Sequence, residues 1–244
     1  MDTIISTMLL FQKYGSKEQV KSFVIDENVF NLRTVYSRIR TLDAIQASFM
    51  GTISPGNSDF VSKFLALENG KSFRKLFLFL QFGSLNSLFY RLTFGYLLQN
   101  LKSGKLVYST DDIYSELLEI QSESPEELPF SESTLRVTAY KYLTLLAKFG
   151  LFTGRQKKSF VLPTISLQEF CFIVLFLHNL GVKDDDIFSS QWLSLYTQSE
   201  AEKFRLCQEA AVHNYIGFSR LGNRVTIIPL ISLEEFFDTI RIGN

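Results

Sequence analysis

The chain is poor in the residues that mark a secreted scaffold, a metalloenzyme or a membrane protein. Its 244 residues include two cysteines, two histidines, five prolines and one tryptophan. Cys171 and Cys207 stand in apolar, helix-patterned surroundings at a separation that fits no zinc or redox motif. No secretory signal precedes them, so a reduced, cytoplasmic setting is expected. The longest apolar run, Phe170–Leu177, is far short of the ~20 residues that a spanning helix needs. A longer stretch, Leu85–Leu101, is broken by Asn86, Arg91 and Gln99, and no transmembrane segment is expected. The scarcity of proline argues against a loop-rich sandwich.

The motifs of catalysis are missing as well. The sequence has no phosphate-binding glycine loop, nucleophile elbow, zinc spacing or calcium loop. His178 follows Cys171 by seven residues, on one helical face, but no second pair lies nearby in sequence. A buried cysteine beside a partly exposed histidine is the plainer reading, and Cys207 with His213 reads the same way. Asp184-Asp185-Asp186 reads as a solvated helix start rather than a cation site, because adjacent helical carboxylates point in different directions. Glu126-Glu127 and Glu234-Glu235 carry no catalytic signature. Neither an enzyme nor a cofactor is expected.

What is abundant is aromatic. There are 24 Phe and 10 Tyr, and the hydrophobic fraction is 46%, enough for a real core. Residues 1–50 read as a three-helix, helix-turn-helix-like unit. Its helices are Asp2–Lys13, a second one capped by Ser16 with Val20, Phe23 and Val24 inside, and Asn31–Phe49 after a break at Asp26–Asn28. The turn cluster Gly51–Asn57 marks a boundary or hinge. Residues 58–244 read as a helical domain, with helices near Ser58–Leu67, Ser72–Phe82 and Asn86–Lys102, and one over Asp111–Ser122 capped by Thr110. Ser131 or Ser133 caps a helix to Phe149, ended by Gly150. Leu151–Thr153 and Ser159–Leu162 then flank a basic tip, Gly154-Arg155-Gln156-Lys157-Lys158. A helix followed by a basic-tipped hairpin is the layout of a winged helix. Ser166 and Glu169 form a capping box before the apolar helix Leu167–Leu180. Beyond it come a short helix at Asp184, an amphipathic Glu200–Asn214, a second hairpin around Leu221-Gly222-Asn223, and a closing helix Ser232–Ile240. The expected fold is mainly α: a helical bundle body with helix-turn-helix and winged-helix-like elements and small β-hairpins.

Charge is neutral in total and segregated along the chain. Lys71–Thr110 carries six bases (Lys71, Arg74, Lys75, Arg91, Lys102, Lys105) and no acid, while Asp111–Glu132 carries eight acids and no base. The bases of the first stretch could equally pair with the acids of the second. Arg136, Lys141, Lys148, Arg155, Lys157 and Lys158 follow in a window whose acid is Glu132. With hydroxyls from Thr134, Thr138 and Tyr140 they suit phosphate contact. Arg33, Arg38 and Arg40 on the third N-terminal helix form a second basic group, against which Glu27 and Asp43 could pair. These nine residues are the candidate double-stranded DNA contacts. Weak sequence preference is expected, because few Asn, Gln or Arg side chains are placed for bidentate base reading.

Three segments resemble one family. They are Phe130-Ser-Glu-Ser-Thr-Leu-Arg136 with Leu143-Thr-Leu-Leu-Ala-Lys-Phe-Gly-Leu151 and the Gly154–Lys158 turn, the run Glu27–Arg40, and the Ser232–Asp238 ending. They resemble the BrxA-like proteins of BREX phage-defence islands, in which such an entry, a helix ending in Phe-Gly-Leu, a basic turn and a proline come in this order; here Phe130 stands where that family has tryptophan and Leu135 interrupts the basic pattern. The resemblance implies a helical body with winged-helix character, double-stranded DNA binding, and work beside other BREX proteins. The competing expectation is a scaffold that assembles defence components without touching DNA, motivated by the acidic segment Asp111–Glu132.

Overall fold

Three N-terminal helices, α1 (Asp2–Tyr14), α2 (Lys17–Glu27) and α3 (Val35–Phe49), open the computed structural model, which describes residues 2–50, 71–197 and 199–242. The turn cluster and helix expected within residues 51–67 lie outside the described residues. Gly15, at φ 71°, ends α1, and the Ser16 hydroxyl accepts from the Gln19 N–H to cap α2. Val20, Val24 and Leu42 close a small core of their own, with Leu10, Phe11, Tyr14 and Phe30 packed on it. Met8 and Phe49 leave this unit to join the main core.

The third helix starts at Val35 rather than Asn31. The intervening backbone is bound in another way, with Asn28 and Asn31 both left-handed (φ 48° and 52°). Asn28 Oδ1 accepts from the Leu32 N–H at 2.9 Å, and the Thr34 hydroxyl caps α3 by accepting from the Ser37 N–H at 3.1 Å. Arg33 therefore sits in the turn ahead of the helix.

The main core is built on aromatic rings. Helix α4 (Lys71–Leu85) buries the consecutive residues Leu76–Leu80. Its Phe79 meets Phe89, Phe149, Trp192 and Tyr196 edge-on at 5.5–5.8 Å between centroids. Next, α5 (Ser87–Tyr90) passes directly into a π-helical stretch, Arg91–Leu97, and then α6 (Leu98–Lys102). The sequence periodicity predicted one continuous α-helix here. Thr93, fully buried in the π stretch, shares a 3.2 Å hydrogen bond with the Tyr142 hydroxyl.

A second group follows: strand β1 (Val107–Tyr108), helix α7 (Thr110–Glu123), helix α8 (Glu132–Phe149), and strands β2 (Phe152–Thr153) and β3 (Lys158–Phe160). The sheet order is β1-β3-β2, both pairings antiparallel, with Tyr108 opposite Lys158 and Phe152 opposite Phe160. One strand before two helices, returning to pair with the hairpin that follows them, is a winged-helix arrangement.

The C-terminal part also runs from helices into a hairpin, but among the described residues no strand ahead of them pairs with it. Helix α9 (Leu167–Asn179) buries every residue from Phe170 to Leu177. Short helices α10 (Asp184–Ile187) and α11 (Gln191–Tyr196) lead to α12 (Glu200–Val212). A hairpin of β4 (Ile216–Leu221) and β5 (Arg224–Pro229) and then α13 (Leu233–Ile242) complete the chain. No helix among the described residues is long and apolar enough to cross a membrane.

Candidate nucleic-acid interface

The winged unit is positioned by local bonding that the sequence encodes. Ser109, rather than the expected Thr110, caps α7 through a reciprocal box with Asp112. Lys105 Nζ reaches the same carboxylate at 2.8 Å. Burial opposes the charge of Asp112, but these hydrogen bonds outweigh it and hold the carboxyl below the ordinary aspartate value. Gln121 donates to the Leu128 and Phe130 carbonyls, at 2.6 and 2.9 Å, pinning the loop that enters α8. The Ser131 hydroxyl accepts from the Thr134 N–H to cap α8, and Gly150, at φ 89°, ends it.

Along α8, at about 100° per residue, two opposite stripes separate cleanly. Leu135, Ala139, Tyr142, Leu143, Leu146 and Phe149 are buried. Ser133, Val137, Tyr140, Lys141 and Lys148 are exposed, with Thr144 half-buried among them. This outer stripe carries hydroxyls, two lysines and one aliphatic side chain, and no carboxylate lies within it. At the far end of the helix the β2–β3 turn presents Arg155, Gln156 and Lys157, all exposed. The turn requires Gly154, at φ 99°, because a Cβ there would fall 2.4 Å from the Lys157 carbonyl oxygen.

Across from α8, helix α3 and Lys141 line one open cleft of about 510 Å³. Ser37, Arg40, Thr41 and Ser48 face it from α3. The cleft brings a cation of each candidate group, Arg40 and Lys141, to one surface.

Three of the nine candidates have partners inside the fold. Arg38 donates from Nε to the Leu32 carbonyl at 2.9 Å and from Nη1 to the Ile25 carbonyl at 2.6 Å, tying the end of α2 to the turn before α3. Arg136 lies 3.3 Å from Glu132 and 3.7 Å from Asp111, with its guanidinium 4.1 Å from the Tyr114 ring centre. Lys158 donates to the Gly154 carbonyl at 2.6 Å and braces the turn from within. Arg33, Arg40, Lys141, Lys148, Arg155 and Lys157 are exposed and form no ion pair with a described residue. Val137 and the α3 hydroxyls were missed at the sequence level. Only the phase of α8 relative to its buried stripe could have flagged Val137.

The acidic segment is largely engaged. Arg91 pairs with Glu123 and, at 3.5 Å, with Glu127, while Lys105 pairs with Asp112. The alternative pairing expected for the Lys71–Lys105 stretch thus occurs for both these bases.

Among the described residues no group of three or more His, Cys, Asp or Glu side chains could hold a metal ion. Cys171 is fully buried, whereas His178 is exposed and bonded to Asp184 at 3.2 Å. Asp185 pairs with Arg224 and accepts from the Thr226 hydroxyl. Burial pushes both thiols up to about 12. Lys203, 7% exposed, donates to the Phe188 carbonyl and the Ser194 hydroxyl, and burial lowers its pKa.

The C-terminal hairpin differs in charge from the first. Arg220 stacks on Phe204 and Arg224 is paired with Asp185, while Glu200 and Glu202 occupy the first turn of α12.

Comparison with protein-family models, with curated proteins and with solved structures found no match.

Proposed function

We propose that this chain is a non-enzymatic double-stranded DNA-binding protein that seats α8 in the major groove. The observation that carries the reading is the run of unpaired cations along one path: Lys141 and Lys148 on the free face of α8, then Arg155 and Lys157 on the hairpin it leads into. A helix of about 10–12 Å diameter fits the major groove, and its flanking cations reach the phosphates on either side. Arg40, with the hydroxyls of Ser37, Thr41 and Ser48, adds a second wall for the backbone of one strand. The neutral total charge does not oppose this, since a polyanion responds to local potential. The resemblance to the BrxA-like proteins supports a place in BREX phage defence, beside other BREX proteins in the cytoplasm.

A second reading, protein contact without DNA, is favoured by the C-terminal hairpin. Leu221 is 85% exposed at its tip, and Val212 is 79% exposed at the end of α12. Fluorescence anisotropy with a labelled duplex at low salt separates the two. Binding is expected, and the charge reversals Lys141→Glu and Lys157→Glu together should abolish it. Absence of duplex binding at low salt would favour the scaffold.

A further inference from the structure

Val137 is the odd residue on the free face of α8. It is 50% exposed and sits near the middle of the outer stripe, in the second turn of the helix. A β-branched side chain slightly disfavours a helix and here gains little packing in return. Ser133 lies one turn before it, Tyr140 and Lys141 one turn after, and Tyr140 is 61% exposed. The only arginine in the first half of the helix, Arg136, is occupied by Glu132, Asp111 and the Tyr114 ring.

We infer that α8 selects A·T pairs by apolar contact between Val137 and the 5-methyl group of thymine. The inference rests on the proposed duplex binding and adds the feature of the duplex that is read. The thymine methyl is the one apolar group the major groove offers. The side chains of a recognition helix that reach base edges come from its N-terminal turns, where Val137 stands. Ser133 and Thr134 hydroxyls beside it donate to or accept from any base and leave the methyl as the discriminating contact. Arg136 would have to give up its contacts with Glu132, Asp111 and the Tyr114 ring to read guanine bidentately. The preference is therefore for A·T over G·C, with little discrimination finer than that.

The test compares duplexes of one A·T-rich sequence containing either thymine or uracil, which differ only in the methyl. With wild-type protein, affinity should fall about fourfold for each contacted methyl removed, the equivalent of ~0.8 kcal/mol for one buried carbon. Val137→Ala should bring the two duplexes to equal affinity and leave the salt dependence unchanged. Val137→Thr, which keeps one methyl, should fall between. Because Val137 is half exposed, the fold should survive, and the fluorescence of buried Trp192 checks it. Equal affinity for both duplexes with wild-type protein, with salt-sensitive binding retained, overturns the inference and leaves the DNA reading standing. A thymine preference that persists in Val137→Ala also overturns it. No binding to either duplex sinks the DNA reading itself.

Discussion

Salt titration tests the assignment of cations most directly. Each phosphate neutralised by a Lys or Arg contributes a slope of about −0.9 to log K against log salt. All nine basic candidates acting together would give a slope of about −8. Arg38, Arg136 and Lys158 are set aside because each is engaged within the fold, Arg38 with two backbone carbonyls, Arg136 with Glu132 and Asp111, and Lys158 with the Gly154 carbonyl. Arg33, in the turn before α3, belongs neither to the cleft nor to the path from the outer face of α8 to the hairpin tip. The remaining five, Arg40, Lys141, Lys148, Arg155 and Lys157, give a slope of about −4.5, or roughly a 500-fold loss of affinity between 50 and 200 mM salt. Anisotropy with a 20-base-pair duplex over that range measures it. Lys157→Ala should make the slope shallower by about one unit. Arg136→Ala should leave it unchanged. A slope near −8, or a change of a full unit on removing Arg136, would refute the partition drawn from the ion pairs. An affinity indifferent to salt would refute phosphate contact altogether.

Other outcomes follow from the same geometry. Arg38→Ala removes two charge-assisted hydrogen bonds to backbone carbonyls and should destabilise the protein by about 2–3 kcal/mol, read by thermal melting, without altering the salt slope. Thr93→Val leaves the buried Tyr142 hydroxyl unpaired and should cost about 1–3 kcal/mol by denaturant titration, and adding Tyr142→Phe should recover most of that. Cys171 and Cys207, buried and held protonated to about 12, should resist iodoacetamide at pH 8 and both react once the chain is unfolded. Folding raises these thiols above their ordinary value of 9.0, so their contribution to stability is present below pH 9 and declines as pH rises toward 12.

The helix α8 was legible because everything that defines it is local. Ser131 supplies the cap, Gly150 the stop, and Leu135 through Phe149 an unbroken apolar stripe. The hairpin after it was legible for the same reason. Strand β1 was not, since two residues carry no alternation and their pairing partner lies some fifty residues later. The π stretch was equally hidden. Its wider turn leaves composition unchanged, and the apolar residues between Phe89 and Leu98 satisfy an α reading too. The site was half legible. Sequence locates a charge but not its partner, and Asp111 reaches Arg136 only because α7 packs against α8. The turn from Asn28 to Thr34, which gives Arg38 one of its two carbonyl partners, needed two left-handed asparagines that local periodicity does not announce.

The wide turn at Arg91–Leu97 has a genetic consequence. It holds one residue more than an α-helix of the same rise, so loss of a single codon there would restore the regular i→i−4 ladder. The helix would survive, but every side chain upstream would swing by about 100° relative to those downstream. Thr93 would turn away from Tyr142, and α8 would lose its buried polar contact with the π stretch. A change too small to register as a loss of secondary structure would re-aim the face of α8 proposed to meet DNA. Deleting one residue at this point should therefore disturb the face of α8 more than many single substitutions on that face.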